Sequence, residues 1–128
     1  MIEKGLVTYL SSDSNITALV SDRIYGSRMP QSPTYPNIVY SRISADRDRT
    51  VEGANGIERA RIQLDCRART YGEAKDLAAA VIDSIEDYSG LMGTITVRHV
   101  AIDNDNDFYD PDAEAERVSI DAIITYER

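Results

Sequence analysis

Few residues of this chain have the type and spacing for chemistry. Asp103, Asp105, Asp107 and Glu114 fall at positions 1, 3, 5 and 12 of a calcium-loop template, a spacing that wraps oxygen ligands around a hard cation. Position 6 of that template needs glycine for its sharp turn, and here it is Phe108. Pro111 stiffens the middle, and the flanks read as strands where the motif requires helices. The segment from Asp103 to Ala115 therefore reads first as a solvated acidic hairpin loop, with a calcium- or ligand-binding module as the alternative from another functional class. His99 is the single histidine, and no serine or cysteine motif accompanies it as a catalytic base requires. Cys66 falls in the apolar register of a strand, which predicts a buried, inert thiol rather than a nucleophile. Gly53-x-x-Gly56 is followed by no helix and so makes no phosphate loop. The expectation is a non-enzymatic protein with no catalytic residue, no cofactor and no metal.

The elements that position these residues are legible from periodicity. Ile2, Leu6, Tyr9 and Leu10 recur at helical spacing over residues 2–12, and Ile16, Leu19 and Val20 suggest a further short turn of helix. A short strand at Arg23-Ile24-Tyr25-Gly26 leads into a loop in which Pro30, Pro33 and Pro36 preclude regular structure until Asn37. Residues 37–45 read as a strand, with Ile38 and Tyr40 on one side and Val39 and Ile43 on the other. Residues 46–56 read as a charged loop. Between Ile57 and Ala68, the even positions Ala60, Ile62, Leu64, Cys66 and Ala68 are apolar. The odd positions Arg59, Arg61, Gln63, Asp65 and Arg67 are polar, which predicts a strand with one face on the core and the other exposed.

Thr70-Tyr71-Gly72-Glu73 is a capping box. Ala74, Leu77, Ala78, Val81, Ile82 and Ile85 follow as an apolar stripe, so a helix is predicted from Tyr71 to Ser89. Thr94 to Asp103 reads as a strand of mixed pattern, and Val118, Ile120, Ala122, Ile124 and Tyr126 alternate through a last one. Tyr40 and Tyr126 are expected in the core. The predicted fold is α+β: an antiparallel four-stranded sheet of two hairpins, with one long helix and an N-terminal helix packed on one face.

With 128 residues, the chain is expected to form one domain, residues 1–128, large enough to bury a core without staples. Its N-terminus lacks the basic-then-apolar order of a signal peptide, and no apolar run approaches the roughly 20 residues that span a bilayer. The lone cysteine excludes an internal disulfide and suits a reducing compartment. The net charge of -8 is unevenly distributed. Residues 42–72 carry +2 through seven arginines and five acids, whereas residues 73–128 carry -10. A chain this acidic is a poor sequence-specific nucleic-acid binder. A solvated surface of mixed charge is the simpler account of the pattern, but segregated charge also allows copies to dock head to tail.

In order and spacing, several segments resemble the phage tail completion proteins, tail-terminator-like proteins of long-tailed phages. They are Met1-Ile2-Glu3-Lys4, Asp22-Arg23-Ile24-Tyr25, Tyr35-Pro36-Asn37-Ile38-Val39-Tyr40 and Asp48-Arg49-Thr50. Further along come Ala60-Arg61-Ile62-Gln63-Leu64-Asp65-Cys66, Thr70-Tyr71-Gly72-Glu73-Ala74, Asp107-Phe108-Tyr109-Asp110-Pro111 and Arg117-Val118-Ser119-Ile120-Asp121. The likeness spans nearly the whole chain. It implies a structural virion protein that forms a ring, expected to be a hexamer, at the head-proximal end of the tail, assembled in the host cytoplasm. The implied partners are the protein itself, the major tail tube protein and a head-closure or stopper protein. DNA would pass through the ring without sequence-specific binding, and no membrane is involved. A head-closure or adaptor ring of the neck is the nearest alternative. The family brings no catalytic residue. Its strand-joining loop and polar sheet face correspond to Ser44–Gly56 and to the odd positions from Arg59 to Arg67. With the charge segregation, this makes Arg42, Asp46, Arg47, Asp48, Arg49, Arg59, Arg61, Arg67, Asp105 and Asp107 the candidate interface residues.

Overall fold

A computed structural model describes residues 1–50 and 53–127, and the side chains of residues 46–55 lie outside the description. Helices α1 (Ile2–Ser11), α2 (Ser14–Val20) and α3 (Tyr71–Ile85) pack on one face of a sheet. The strands are β1 (Ile24–Gly26), β2 (Asn37–Thr50), β3 (Gly53–Ala68), β4 (Gly90–Met92), β5 (Ile95–Asp110) and β6 (Ala115–Glu127). They form a six-stranded sheet in the order β1-β2-β3-β6-β5-β4. All neighbours are antiparallel except β1 and β2, which run parallel.

The α+β class agrees with the sequence reading, but the sheet is larger than the four strands expected. The short strand at residues 24–26 joins the sheet beside β2, and the segment after α3 adds β4 at the other edge. Three-residue strands carry too little pattern to be read as sheet members; their pairing comes from the long neighbours beside them. The loops expected over 46–56 and 103–115 are instead the ends of two long hairpins. β2 runs on to Thr50 and β3 starts at Gly53, while β5 runs to Asp110 and β6 starts at Ala115. Polar residues hid these extensions because a hairpin that projects past the core has no apolar face to signal its period.

The strict alternation in β3 holds: Ala60, Ile62, Leu64, Cys66 and Ala68 are all fully buried. They meet Ile2, Leu6 and Leu10 of α1, Ile16 and Val20 of α2, and Ala74, Leu77, Ala78, Val81 and Ile85 of α3. In β6, Val118, Ile120, Ala122, Ile124 and Tyr126 face the same core. Tyr40 is only partly buried at the core margin, and Ile43 sits at a bulge between Arg42 and Ser44 with its side chain exposed.

Helix α3 starts where the capping box places it. The Thr70 hydroxyl accepts from the Glu73 backbone N–H at 3.2 Å, and the Glu73 carboxylate returns to that hydroxyl at 2.9 Å. The helix ends at Ile85, short of the expected Ser89, because Asp87 adopts a positive φ of 59° that turns the chain toward β4. Ile82, expected in the buried stripe, is partly buried at its edge. Helix α1 crosses β4 closely at Gly5, where an added Cβ would lie 2.5 Å from the Met92 carbonyl oxygen. Only glycine permits that approach.

Candidate assembly surface

The sheet face turned away from the helices carries the odd side chains of β3 and β6, and they form a cross-strand network. Arg61 reaches Asp103 at 2.9 Å and Asp121 at 3.6 Å. Asp65 accepts from Ser119 Oγ at 2.7 Å, from Gln63 Nε2 at 3.1 Å and from Arg117 at 3.3 Å. Arg67 and Arg117 stand directly opposite each other in the register, an arrangement that would repel if bare. Asp110 counters Arg67 at 3.1 Å, Asp65 counters Arg117, and the Arg117 guanidinium stacks 4.5 Å from the centre of the Phe108 ring. Three arginines and four aspartates are thus bonded to one another across this face. A surface gripping a phosphate backbone needs a surplus of positive charge, and this network has none.

Burial on that face departs from the simple polar-out expectation. Arg67 is only 7% exposed and Ser119 6%, because long side chains from adjacent strands lie over them. Arg67 thus belongs to the fabric of the sheet rather than to an exposed patch. Beside its hydrogen bond to Arg67, the Asp110 carboxylate accepts from the backbone N–H groups of Ala113 and Asp112, and these contacts hold its pKa below the usual carboxylate range. Asp103 in turn pushes the Arg61 pKa up, chiefly through their hydrogen bond.

The two edges of the sheet are covered over only part of their length. β1 pairs with residues 38–40 of β2, and β4 with residues 95–97 of β5. Single backbone bonds add to these, from Ser27 N–H to the Tyr40 carbonyl at the end of the paired span and from Asp87 N–H to the Val100 carbonyl, three residues beyond Val97. Beyond those points, no strand flanks β2 or β5 among the described residues. On the helix-side face of β2, Arg42 lies 3.9 Å from Glu3 of α1. On the same face of β5, Asp107 accepts from the Tyr71 hydroxyl at 2.6 Å and from Lys75 Nζ at 3.3 Å. The Tyr71 bond is the main cause of a lowered Asp107 pKa, and the Tyr71 phenol and Lys75 ammonium are raised in return.

The candidate interface residues therefore do not form one patch. Arg59, Arg61 and Arg67 lie on the open sheet face, whereas Arg42 and the pair Asp105 and Asp107 lie toward opposite edges. Asp46 to Arg49 belong to the projecting β2–β3 hairpin. There Asp46 pairs in register with Arg59, Arg47 with Glu58 and Arg49 with Ala54. Among the described residues β6 pairs with β3 as far as Ile57 with Glu127. Asp46 and Arg47 therefore still flank the wider sheet, and the end of the hairpin, where Arg49 pairs with Ala54, stands beyond it as a two-stranded arm.

The calcium template is dismantled by the strand extension. Asp103 turns to Arg61 on the open face, while Asp107 turns to α3 on the other, so these acids cannot converge on one ion. Along a strand their backbones are also about 13 Å apart. His99 is exposed and pairs with Asp87 at 3.0 Å, and Cys66 is fully buried, which pushes its thiol pKa far up. Gly53 and Gly56 lie in β3, not at the start of a helix.

Sequence reasoning missed one pair. Glu58 shares the even, core-facing register of β3 and is 4% exposed, and the Tyr126 hydroxyl donates to its carboxylate. Burial and this bond push the Tyr126 phenol pKa well above its usual value. The signal was present: Glu58 continues the apolar even positions by one step, as an acid placed where an apolar residue belongs.

The comparisons with known proteins bear on this geometry. Among curated proteins, none matches the chain. One similar solved structure, a chain of the virion of a native gene transfer agent particle, shares 20% identity with a TM-score of 0.67. The match covers 94% of this chain and 90% of that one, and the similarity is one of fold. The family model described as tail completion protein gp17 matches residues 4–127. The long-hairpin sheet, its one-sided helical cover and this nearly full-length match together place the chain in the tail completion protein gp17 family.

Proposed function

We propose that this protein is a structural component of a phage-like virion, a tail terminator that closes the tail tube as a sixfold ring and presents the surface joined to the head. Family membership supports a tail role, and the solved chain of similar fold belongs to a virion. The observation that carries the ring is the sheet itself. It has two partly open edges that differ in sequence and charge, and a head-to-tail assembly joins two such unlike surfaces. The candidate partners are a second copy, the major tail tube protein and a head-closure protein.

In this reading the hairpin of Asp46, Arg47, Asp48 and Arg49 recognises the tube or the head, with Asp46, Arg47 and Arg59 at its base and Asp48 and Arg49 toward its tip. Arms of this length beyond a core are commonly functional. The internally paired open face suits a lumen through which DNA passes without being held. The test is electron microscopy of particles carrying Arg47→Ala with Arg49→Ala, beside native mass spectrometry of the purified protein. The expected outcome is a folded protein whose tails have irregular length or fail to join heads. Normal tails and full infectivity would remove the arm from recognition. Tails of normal length and joining in a strain lacking the protein altogether would remove the terminator reading.

A further inference from the structure

We infer that Tyr109 of one copy inserts into a groove at the β2 edge of the next, an inference that rests on the ring reading above. Tyr109 lies near the end of β5, is 56% exposed, and has no side-chain partner among the described residues. It shares the helix-side face of β5 with Asp105 and Asp107, and Tyr71, also half exposed, stands beside Asp107. Partly exposed aromatic side chains framed by polar groups are the usual anchors of protein interfaces.

The opposite edge of the sheet offers the complement. A groove of about 310 Å³ between α1 and β4 carries Lys4 on its wall and no residue of β2. The groove at the β2 edge has a volume of about 270 Å³ and is lined by Met1, Glu3, Gly26, Tyr40 and Arg42, among others. Tyr40 and Arg42 place it on the helix-side face, the same face that carries Tyr109. Copies arranged head to tail with their helices on one side therefore bring plug and groove together. The charges match as well: Arg42, held to Glu3 only at 3.9 Å, faces Asp105 on the side of the plug. Glu3 supplies an acceptor for the entering phenol hydroxyl, and exposed Met1 and the nearby exposed Ile43 supply apolar cover.

The register sets the stagger. In the sheet, Arg42 aligns through Ile62 and Ala122 with Ile102, whereas Tyr109 aligns with Glu116. The seven residue steps from Ile102 to Tyr109 along β5 correspond to about 23 Å. Neighbouring copies must then be displaced along the strands by that amount, which a ring of tilted strands accommodates.

The experiment is disulfide trapping in assembled particles. A chain carrying Gly26→Cys and Tyr109→Cys is expected to give a ladder of covalent oligomers under oxidation, and each single cysteine variant none beyond a dimer. In parallel, Tyr109→Ala and Gly26→Leu, the latter filling the groove, are checked for folding by circular dichroism and for association by sedimentation. Each alone is expected to associate about 30-fold more weakly, in the range of an interface anchor. Mixed, they are expected to form one-to-one dimers, because one intact plug and one intact groove remain. If the double-cysteine chain is incorporated into particles yet gives no ladder, or if both variants form rings like the unaltered chain, Tyr109 is not the plug while the ring stands. If the unaltered protein is monomeric in solution and in particles, the ring reading itself fails, and this inference with it.

Discussion

At the scale of single residues, the protein's charges are mostly committed to one another before any partner arrives. Asp107 shows this best. Its folded pKa lies below the ordinary carboxylate value, so its bonds to Tyr71 and Lys75 contribute fully above that value. They are lost as the pH falls through the folded pKa, in the region below about pH 4. Asp107→Asn is therefore expected to flatten the acid limb of the stability profile, measured by denaturation across pH 2 to 6. On the alkaline side the sign reverses. The Tyr71 phenol, raised chiefly by that hydrogen bond, keeps its contribution below its ordinary value near 10 and loses it as the pH climbs through the raised one. A spectrophotometric titration of phenolate absorbance is expected to show late-titrating tyrosines, of which one moves earlier in Asp107→Asn while Tyr126 stays late. Inside the core, Tyr126→Phe removes a donor from the buried Glu58 carboxylate and is expected to cost about 1–3 kcal/mol in chemical denaturation.

At the scale of elements, helix α3 and helix α1 are attached by different means. α3 is held by its apolar stripe. Leu77→Ala is expected to cost about 2–5 kcal/mol as a fully buried deletion, whereas Ile82→Ala, at the margin of the stripe, is expected to cost less than Leu77→Ala. Thr70→Ala is expected to cost about 1 kcal/mol through the lost cap. α1 also buries Ile2, Leu6 and Leu10, but its crossing over β4 depends on the missing Cβ at Gly5. Gly5→Ala would gain helix propensity in an isolated peptide. Here it is expected to destabilise by about 1–3 kcal/mol, because the contact it forces is with backbone that cannot turn aside. Denaturant midpoints of these four variants, compared at one pH, check the whole set.

At the scale of the whole molecule, the two edges of the sheet matter more than any pocket. Each is capped by a three-residue strand, beyond which no strand flanks it among the described residues, and one edge is acidic where the other carries Arg42. If the ring closes through these charges, raising salt from low to molar concentration is expected to weaken association, because exposed ion pairs are screened within about 3 Å at 1 M. Sedimentation at several salt concentrations measures it. A ring indifferent to salt would shift the weight of the contact to apolar anchors such as Tyr109 and leave charge segregation as a solubility device.

What the sequence determined by itself was everything with a period or a cap. The alternation of β3 and β6, the start of α3 at Thr70 and the burial of Cys66 follow from local patterns, since side chains two apart on a strand or three to four apart on a helix must share a face. The family was legible too, because the order of those segments persists along the chain. Tertiary structure alone decided the rest. Short β1 and β4 exist because long strands offered them edges, and Asp103 and Asp107 part to opposite faces because β5 runs on beyond the core. Arg67 is buried where Arg117 stands opposite it and Asp110 bonds it, both from strands that are distant in sequence. Glu58 lies inside because the register of β3 carries one position further than its apolar residues do. Each of these depends on pairing between residues far apart along the chain, and local periodicity contains no term for that.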